Sequence, residues 1–179
     1  MKEIEIKLKA ENTEKVIEQL EGKGCIFGLP IKQEDDIFIP LTEPTVPVTL
    51  GTNVLRIRRQ GGKALFTLKQ GQELAKIERE LEISDPETLE KIIVMLGFKK
   101  IARINKVRRK CKTDGVEICI DEVEGLGGFV EVEKITAEDP EKVQRELLDF
   151  IARLGVDVSC RETVGYDILY VQKYGSSGI

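Results

Sequence analysis

The strongest constraint on the fold is an alternation of charged and aliphatic residues that begins at the start of the chain. Glu3, Glu5 and Lys7 alternate with isoleucine and leucine within residues 2–10. In a β-strand, residues two apart point to the same side, so the charges share one face and the aliphatic side chains share the other. The alternation recurs in strand after strand. It therefore predicts a sheet with one charged face and one apolar face.

Turn and capping signals divide the chain into strands with helices between them. Strands are predicted at residues 2–10, 25–27, 32–39, 54–60, 63–70, 76–84, 99–112, 116–124 and 129–135. Helices are predicted after the capping residues Asn12, Asp85 and Asp139, and a fourth over residues 162–174. Few crossovers separate the strands, which favours an antiparallel sheet, and amphipathic helices can cover its apolar face. The prediction is an α+β fold, a closed antiparallel β-barrel with helices packed outside.

A glycine pair at residues 61–62 predicts a hairpin that gathers three cations on one face. With a two-residue loop, Arg56 lies opposite Thr67, and Arg58 and Lys69 share the face of Arg56. The opposite face carries four apolar residues, Leu55, Ile57, Phe66 and Leu68. This apolar side specifies which side of the hairpin is charged.

The Asp-Gly turn at residues 114–115 predicts a second hairpin, in which cations face acids. Its register places Arg108 opposite Asp121, and Lys106 and Glu117 lie on the same face. Oppositely charged pairs across two strands stabilise a sheet by about 0.2–1 kcal/mol each. The charged face of this hairpin is therefore an arrangement of partnered charges.

Glu131 and Glu133 alternate with valines in the strand that follows a glycine-rich turn at residues 125–128. A loop of three or five residues would place these two glutamates on the face of Asp121. A loop of four residues would place them on the opposite face. The glycines permit either geometry, so the sequence leaves both open.

Composition and charge limit the classes of function. The formal net charge of −4 gives no basic surface for nucleic acid. The sequence has no apolar run long enough for a membrane span, and the charged N-terminus does not resemble a signal peptide, so a cytoplasmic protein is predicted. The length suits a single domain over residues 1–174, followed by a flexible tail at residues 175–179.

The chain has no histidine, which excludes histidine-based acid–base and nucleophilic chemistry. None of the four cysteines forms a C-x-x-C pair, so a structural zinc site is not expected. We expect buried free thiols in a reducing compartment. The cysteines are Cys25, Cys111, Cys119 and Cys160.

The charged face has two interpretations. An antiparallel sheet often has one solvated face, which would explain any single strand. Dense arginine, lysine, aspartate and glutamate on nearly every strand instead indicates an enclosed face, where cations meet anions and carboxylates meet metal. Oxygen ligands favour a hard cation, Mg²⁺ or Mn²⁺, and the combination with cationic side chains indicates a phosphate-chain site.

The charged residues of the predicted strands, taken in sequence order, resemble the CYTH domain family of triphosphate tunnel metalloenzymes. This family is named for class IV adenylyl cyclases and thiamine triphosphatases. The signature ExExK corresponds to residues 3–7, and the resemblance covers nearly the whole chain. The other matching positions are Asp36, Phe38, Arg56, Arg58, Lys69, Glu78, Glu80, Lys106, Arg108, Asp121, Glu131 and Glu133.

The resemblance implies an eight-stranded antiparallel tunnel that holds one or two Mg²⁺ or Mn²⁺ ions and binds a small-molecule triphosphate. It implies that Lys7 and Glu5 are catalytic. The metal ligands implied are Glu3, Glu5, Asp121, Glu131 and Glu133. The implied triphosphate-binding residues are Lys7, Arg56, Arg58, Lys69, Lys106 and Arg108. Glu78 and Glu80 would either bind a second metal ion or orient the cations.

The family resemblance favours a class IV adenylyl cyclase, which converts ATP to cyclic AMP and pyrophosphate. A triphosphatase acting on thiamine triphosphate or tripolyphosphate is the first alternative, and a non-catalytic nucleotide- or polyphosphate-binding barrel is the second. The oligomeric state is left open: family members are often dimers, so a homodimer is one alternative, and the loop at residues 40–52 is a candidate contact or lid. Packing is the expected role of Tyr166, and Asp36 has either a structural or a site role.

Overall fold

A computed structural model describes residues 2–72 and 75–175 of the 179-residue chain. Most of the predicted tail, residues 176–179, lies outside the described residues. The strands are β1 (Lys2–Ala10), β2 (Ile31–Pro40), β3 (Val54–Gln60), β4 (Lys63–Gln72), β5 (Ala75–Ile83), β6 (Phe98–Thr113), β7 (Val116–Val123), β8 (Gly127–Thr136) and β9 (Arg161–Glu162). The helices are α1 (Thr13–Glu21), α2 (Pro86–Met95), α3 (Pro140–Arg153) and α4 (Tyr166–Tyr174).

The fold is α+β, and its eight long strands form a closed antiparallel β-barrel, which confirms the predicted fold class. Backbone contacts divide the chain into two compact units. Of the described residues, the first unit comprises residues 2–31 and 106–163, and the second comprises residues 32–72, 75–105 and 164–175. Among the described residues, no helix combines the length and the apolar character needed to cross a membrane.

In the first unit the strand order is β6-β7-β8-β1-β9, with antiparallel neighbours. Helix α1 contacts β7 and β8, and α3 contacts β1 and β8. Asn12 and Asp139 cap these helices by accepting hydrogen bonds from the backbone N–H groups of Lys15 and Lys142. The buried apolar residues of these elements are Ile4, Ile6, Leu8, Ile17, Leu20, Ile118, Ile120, Val130, Val132, Val143, Leu147 and Ile151.

In the second unit the strand order is β5-β4-β3-β2. Helix α2 begins at Pro86, after the Asp85 side chain accepts a hydrogen bond from the Thr88 backbone N–H. Ile93 of α2 is buried in a core with Phe38, Leu55 and Ile57, against which further apolar side chains pack. The predicted Gly61-Gly62 hairpin is confirmed, because Gln60 pairs with Lys63 and Arg56 with Thr67.

Two predicted elements are wrong. Residues 25–27 form no strand, because the Cys25 backbone N–H bonds to the carbonyl oxygen of Leu20 at the end of α1. Cys25 and Phe27 are nevertheless buried while Ile26 is exposed, which produced the strand-like pattern. The last helix begins at Tyr166 and not at residue 162, because Arg161–Glu162 pair with β1.

Candidate active site

The loop between β7 and β8 decides which way the glutamates of β8 point. Val123 pairs with Gly127, so the loop is the three residues 124–126. Gly125 and Gly127 have φ values of 73° and 91°, which glycine adopts without the steric cost of a Cβ. Of the two arrangements that the sequence left open, the structure has Glu131 and Glu133 on the face of Asp121.

Three glutamates of the first unit converge on this face. Glu5 of β1 lies opposite Glu133 of β8, and Glu3 is two residues from Glu5. One carboxylate oxygen from each of Glu3, Glu5 and Glu133 lies within 4.8 Å of the other two. Oxygen atoms that converge in this way from three strand positions can hold a hard divalent cation.

The electrostatics of Glu133 fit such a cation. Burial raises the pKa of Glu133 to about 8, with further upward contributions from the charges of Glu3, Glu131 and Glu5. Arg108 opposes this shift but does not cancel it. Burial is the largest cause of the raised pKa, and the negative charge of the neighbouring carboxylates is only partly offset by Arg108. The donor atoms and this charge suit Mg²⁺ or Mn²⁺.

A second group of possible ligand atoms shares Glu133. A carboxylate oxygen of Glu117, the Cys119 thiol and an oxygen of Glu133 lie within 4.8 Å of one another. Burial raises the pKa of the Cys119 thiol, and the nearby carboxylates add to this effect. Sequence reasoning placed Glu117 on the charged face but gave it no role, and it treated Cys119 only as a buried thiol. The period-two spacing from Asp121 could have identified both.

Next to these glutamates, the first unit holds a buried network of ion pairs. The Lys7 ammonium group is 3.1 Å from a Glu131 oxygen and 3.4 Å from a Glu5 oxygen. Arg108 donates two hydrogen bonds to Asp121, at 2.7 and 2.5 Å, and one to Glu131. Lys106 donates to Asp121 at 3.0 Å. The cations are therefore held in fixed positions by two buried acids.

The pKa directions agree with this pairing. Burial opposes ionisation of Glu131, but the charges of Lys7 and Arg108 hold its pKa well below its usual value. Burial likewise opposes ionisation of Asp121, and Lys106 and Arg108 lower its pKa. Both acids are charged partners of cations in this structure. Their assignment as metal ligands stays a prediction.

The second unit has its own charged face. Arg58 donates two parallel hydrogen bonds to Asp35, both at 2.7 Å, and both residues are buried. Arg56 donates to the Thr67 hydroxyl and to Glu80, at 3.0 and 3.1 Å. Sequence reasoning missed Asp35, although its position opposite Arg58 follows from the β2–β3 register.

Glu78 and Lys69 complete this face. Lys69 donates a hydrogen bond to Glu78, and Arg56 lies 3.8 Å from the same carboxylate. Burial opposes ionisation of Glu78, but Lys69 and Arg56 lower its pKa. Glu78 and Glu80 contact cations here, which is the geometry expected if they orient them. Whether either also binds a metal ion stays a prediction.

Asp36 lies on the opposite side of β2, away from Arg58. Its fully buried carboxylate accepts hydrogen bonds from Arg103, at 2.7 and 2.9 Å, and from Arg59, at 2.8 Å. Lys100 lies 3.4 Å from the same carboxylate. These contacts support a structural role for Asp36. Tyr166 is also buried, at the start of α4.

Comparison with known proteins gives consistent matches. The CYTH domain model matches residues 1–166. A Methanocaldococcus jannaschii protein named provisionally as an adenylate cyclase is 34% identical over 163 residues, which cover 87% of this chain and 91% of that protein. The structure of a Pyrococcus horikoshii protein has a TM-score of 0.77 at 30% identity, covering 93% of this chain and 98% of that one.

A third similar structure is that of a Hippeastrum protein, with a TM-score of 0.63, 21% identity and coverage of 98% of this chain and 96% of that one. Its description gives a provisional adenylyl cyclase name and a dominant triphosphatase activity. At this identity the likeness concerns the fold alone. The family match spans almost the entire described chain and includes the ExExK strand. The chain belongs to the CYTH domain family.

Proposed function

We propose that this protein is a divalent-metal-dependent enzyme that converts ATP to cyclic AMP and pyrophosphate. CYTH proteins are typically enzymes of the adenylyl cyclase or triphosphatase type, and their family is metal-dependent. The observation that carries the proposal is the convergence of Glu3, Glu5 and Glu133 within 4.8 Å beside buried cations. A site for polyanion binding alone needs the cations but has no use for these carboxylates.

The metal ligands proposed are the converging glutamates Glu3, Glu5 and Glu133, with Asp121 and Glu131 added from the family resemblance. The donor set is all oxygen, which suits Mg²⁺ or Mn²⁺. When bound, such an ion supplies charge neutralisation and Lewis-acid polarisation at phosphate oxygens. Without it, the carboxylates would repel a polyanion.

The cations of the first unit are proposed to bind phosphate oxygens and to stabilise the charge that develops on the departing pyrophosphate. Lys7 is only 1% exposed and lies between Glu5 and Glu131, so its ammonium group is already oriented. Asp121 orients Arg108 and Lys106 in the same way. Groups fixed before the reaction need little reorganisation when charge develops.

Three cations of the second unit, Arg56, Arg58 and Lys69, are proposed to bind phosphate as well. The planar guanidinium groups of Arg56 and Arg58 can each give two parallel hydrogen bonds to a phosphate. Each of the three cations contacts a carboxylate of its own unit, which restrains the position of its charged group. A cytoplasmic location and a homodimer stay predictions.

The second candidate function is triphosphate hydrolysis, and the dominant triphosphatase activity described for the similar Hippeastrum protein favours it. The two reactions differ in their nucleophile. In the cyclase, the ribose 3′-hydroxyl attacks the α-phosphate. In the triphosphatase, water attacks the terminal phosphate. The same carboxylates and cations would serve either reaction.

Product analysis tests the proposal. Purified protein is incubated with Mg²⁺ or Mn²⁺ and, separately, with ATP, thiamine triphosphate and tripolyphosphate, and the products are separated by chromatography. Parallel reactions with chelator give the metal-independent background. Cyclic AMP with an equal amount of pyrophosphate is the expected result. Orthophosphate without a cyclic product would replace the cyclase by the triphosphatase, and no turnover of any substrate would contradict both.

A further inference from the structure

Two glutamines extend the charged face of the second unit at one end. Gln33 of β2 lies opposite Gln60 of β3, and each is two residues from a member of the Asp35–Arg58 pair. Residues two apart in a strand share a face and are separated by about 7 Å. The two amides therefore adjoin the guanidinium group of Arg58. The side-chain N–H of Gln33 donates a hydrogen bond to the side-chain oxygen of Gln60, Oε1, at 2.6 Å.

Gln33 carries a buried polar atom without a partner. The residue is 7% exposed, and within the described residues its side-chain oxygen accepts no hydrogen bond. Rotating both amides by half a turn would pair the Gln33 oxygen with the Gln60 nitrogen and leave the Gln33 nitrogen unpartnered, so one polar atom of Gln33 stays unsatisfied in either orientation. Because buried polar groups normally have partners, such an atom beside a binding face indicates a ligand that supplies one.

The surroundings suit a flat, partly apolar ligand group. Leu65 of β4 lies opposite Arg58 and is half-buried, and Ile37 of β2 lies opposite Arg56 and is buried. Both side chains therefore belong to the same face as the two glutamines. The face changes along β3 from guanidinium groups to amides, with one aliphatic side chain beside each guanidinium group on a neighbouring strand. A phosphate chain needs the guanidinium groups but not the amides.

We propose that Gln33 and Gln60 recognise the base of a nucleoside triphosphate whose phosphates bind Arg58 and Arg56. This inference rests on the proposed function and adds the residues that select its substrate. An amide offers a donor and an acceptor side by side, which matches the adjacent donor and acceptor on the edge of adenine. The oxygens of an inorganic triphosphate are acceptors, so they could not donate to the unpartnered Gln33 oxygen or match the donor and the acceptor of an amide together.

Binding measurements on leucine variants test the inference. Gln33→Leu and Gln60→Leu remove the amides at similar side-chain volume, and Gln172→Leu on the exposed side of α4 is the matched control. Calorimetric titrations with Mg²⁺ compare an ATP analogue that has a methylene group between the α- and β-phosphates with tripolyphosphate. We expect each of the two variants to bind the analogue about tenfold more weakly and tripolyphosphate within about twofold of the wild type. The control should bind both normally.

Equal weakening of both ligands, or no weakening of the analogue, would overturn the inference. Gln33→Leu should unfold at a temperature no lower than the wild type, because it removes an unpartnered buried atom. If that variant does not fold, the binding measurements on Gln60→Leu alone test the inference, since Gln60 is less buried than Gln33.

Failure of the inference and failure of the proposed function have different signatures. A wild-type protein that hydrolyses tripolyphosphate but does not bind the nucleotide analogue overturns the inference and leaves triphosphate chemistry standing. A wild-type protein that binds the analogue through the two glutamines but turns over no triphosphate supports the inference and contradicts the enzymatic proposal.

Discussion

The two units both carry a charged sheet face, but they balance its charge differently. In the second unit each acid discussed above contacts a cation, as in the pairs Asp35–Arg58 and Glu80–Arg56. In the first unit Glu131 and Asp121 are balanced in this way, whereas the pKa of Glu133 is raised to about 8 by burial and by neighbouring carboxylates. This difference is the one expected if, as proposed, a metal ion binds in the first unit while the second unit contributes cations that bind phosphate.

The largest expected effect is the loss of turnover when a carboxylate of the first unit is removed. Glu5→Ala should lower metal-dependent turnover by roughly a thousandfold, because a bound metal ion contributes several kcal/mol of transition-state stabilisation. Its stability should change little, since Glu5 is partly exposed and its removal relieves repulsion with Glu133. Steady-state kinetics and thermal unfolding measure the two effects.

Glu18→Ala is the control for this change, because Glu18 is an exposed acid on α1 in the same unit. Its turnover should equal that of the wild type. Full activity in Glu5→Ala would remove ExExK from the site and leave the contrast between the two units without a functional meaning.

Asp36→Asn should have the opposite profile, with a large effect on stability and little on turnover. The fully buried Asp36 carboxylate is hydrogen-bonded by Arg103 and Arg59. Removing one partner of a buried ion pair typically costs about 3–5 kcal/mol, and we expect about 3 kcal/mol here because Arg103 is partly exposed. Urea unfolding measures the change.

Asp149→Asn, at an exposed position of α3, is the control and should leave the free energy of unfolding unchanged. A large loss of turnover in folded Asp36→Asn would place this residue in the active site and would contradict its structural role.

The effect that is smallest per step of the measurement is a pH dependence of stability in the metal-free protein. Burial and neighbouring carboxylates raise the pKa of Glu133 from 4.5 to about 8, so between these values the folded state holds a proton that the unfolded state releases. The free energy of unfolding should therefore fall as pH rises through this window, by up to about 1.4 kcal/mol per pH unit. Urea unfolding at several pH values measures it.

Glu133→Gln should abolish this slope, and saturating Mg²⁺ should reduce it.

Asp36 should contribute a pH dependence of stability with the opposite sign. Burial opposes its ionisation, but hydrogen bonds from Arg103 and Arg59 lower its pKa from 3.8. Its stabilising contribution is thus fully present above about pH 3.8 and is lost only as pH falls through the lowered value. An identical slope in wild type and Glu133→Gln would contradict the assignment of excess negative charge to Glu133.

Local signals predicted much of this structure. Two-residue turns at residues 61–62 and 114–115 fix the register of their hairpins, and both registers are confirmed. The helix starts at residues 13, 86 and 140 follow from capping side chains that act within four residues. Such features were predictable because the interacting groups are close in the sequence.

Other features depended on the direction or the burial of a single side chain, which a local sequence pattern could not predict. Asp35 and Asp36 are adjacent and of the same residue type, yet their side chains lie on opposite sides of β2. Asp35 pairs with Arg58, and Asp36 pairs with Arg103. The polar atom of Gln33 became informative only when its burial and its lack of a described partner were known. Residues 25–27 had strand-like periodicity, but the Cys25 backbone N–H bonds to the carbonyl oxygen of Leu20 at the end of α1.

The family, the alternation of charged and apolar faces and the pairing within hairpins could all be predicted from the sequence, because they depend on spacing along a few residues. Which glutamates converge became known only from the folded chain. Glu5 and Glu133 are far apart in the chain, and they meet because β1 pairs with β8 and because the β7–β8 loop has three residues and not four. In a strand, one inserted residue reverses the side to which every following side chain points.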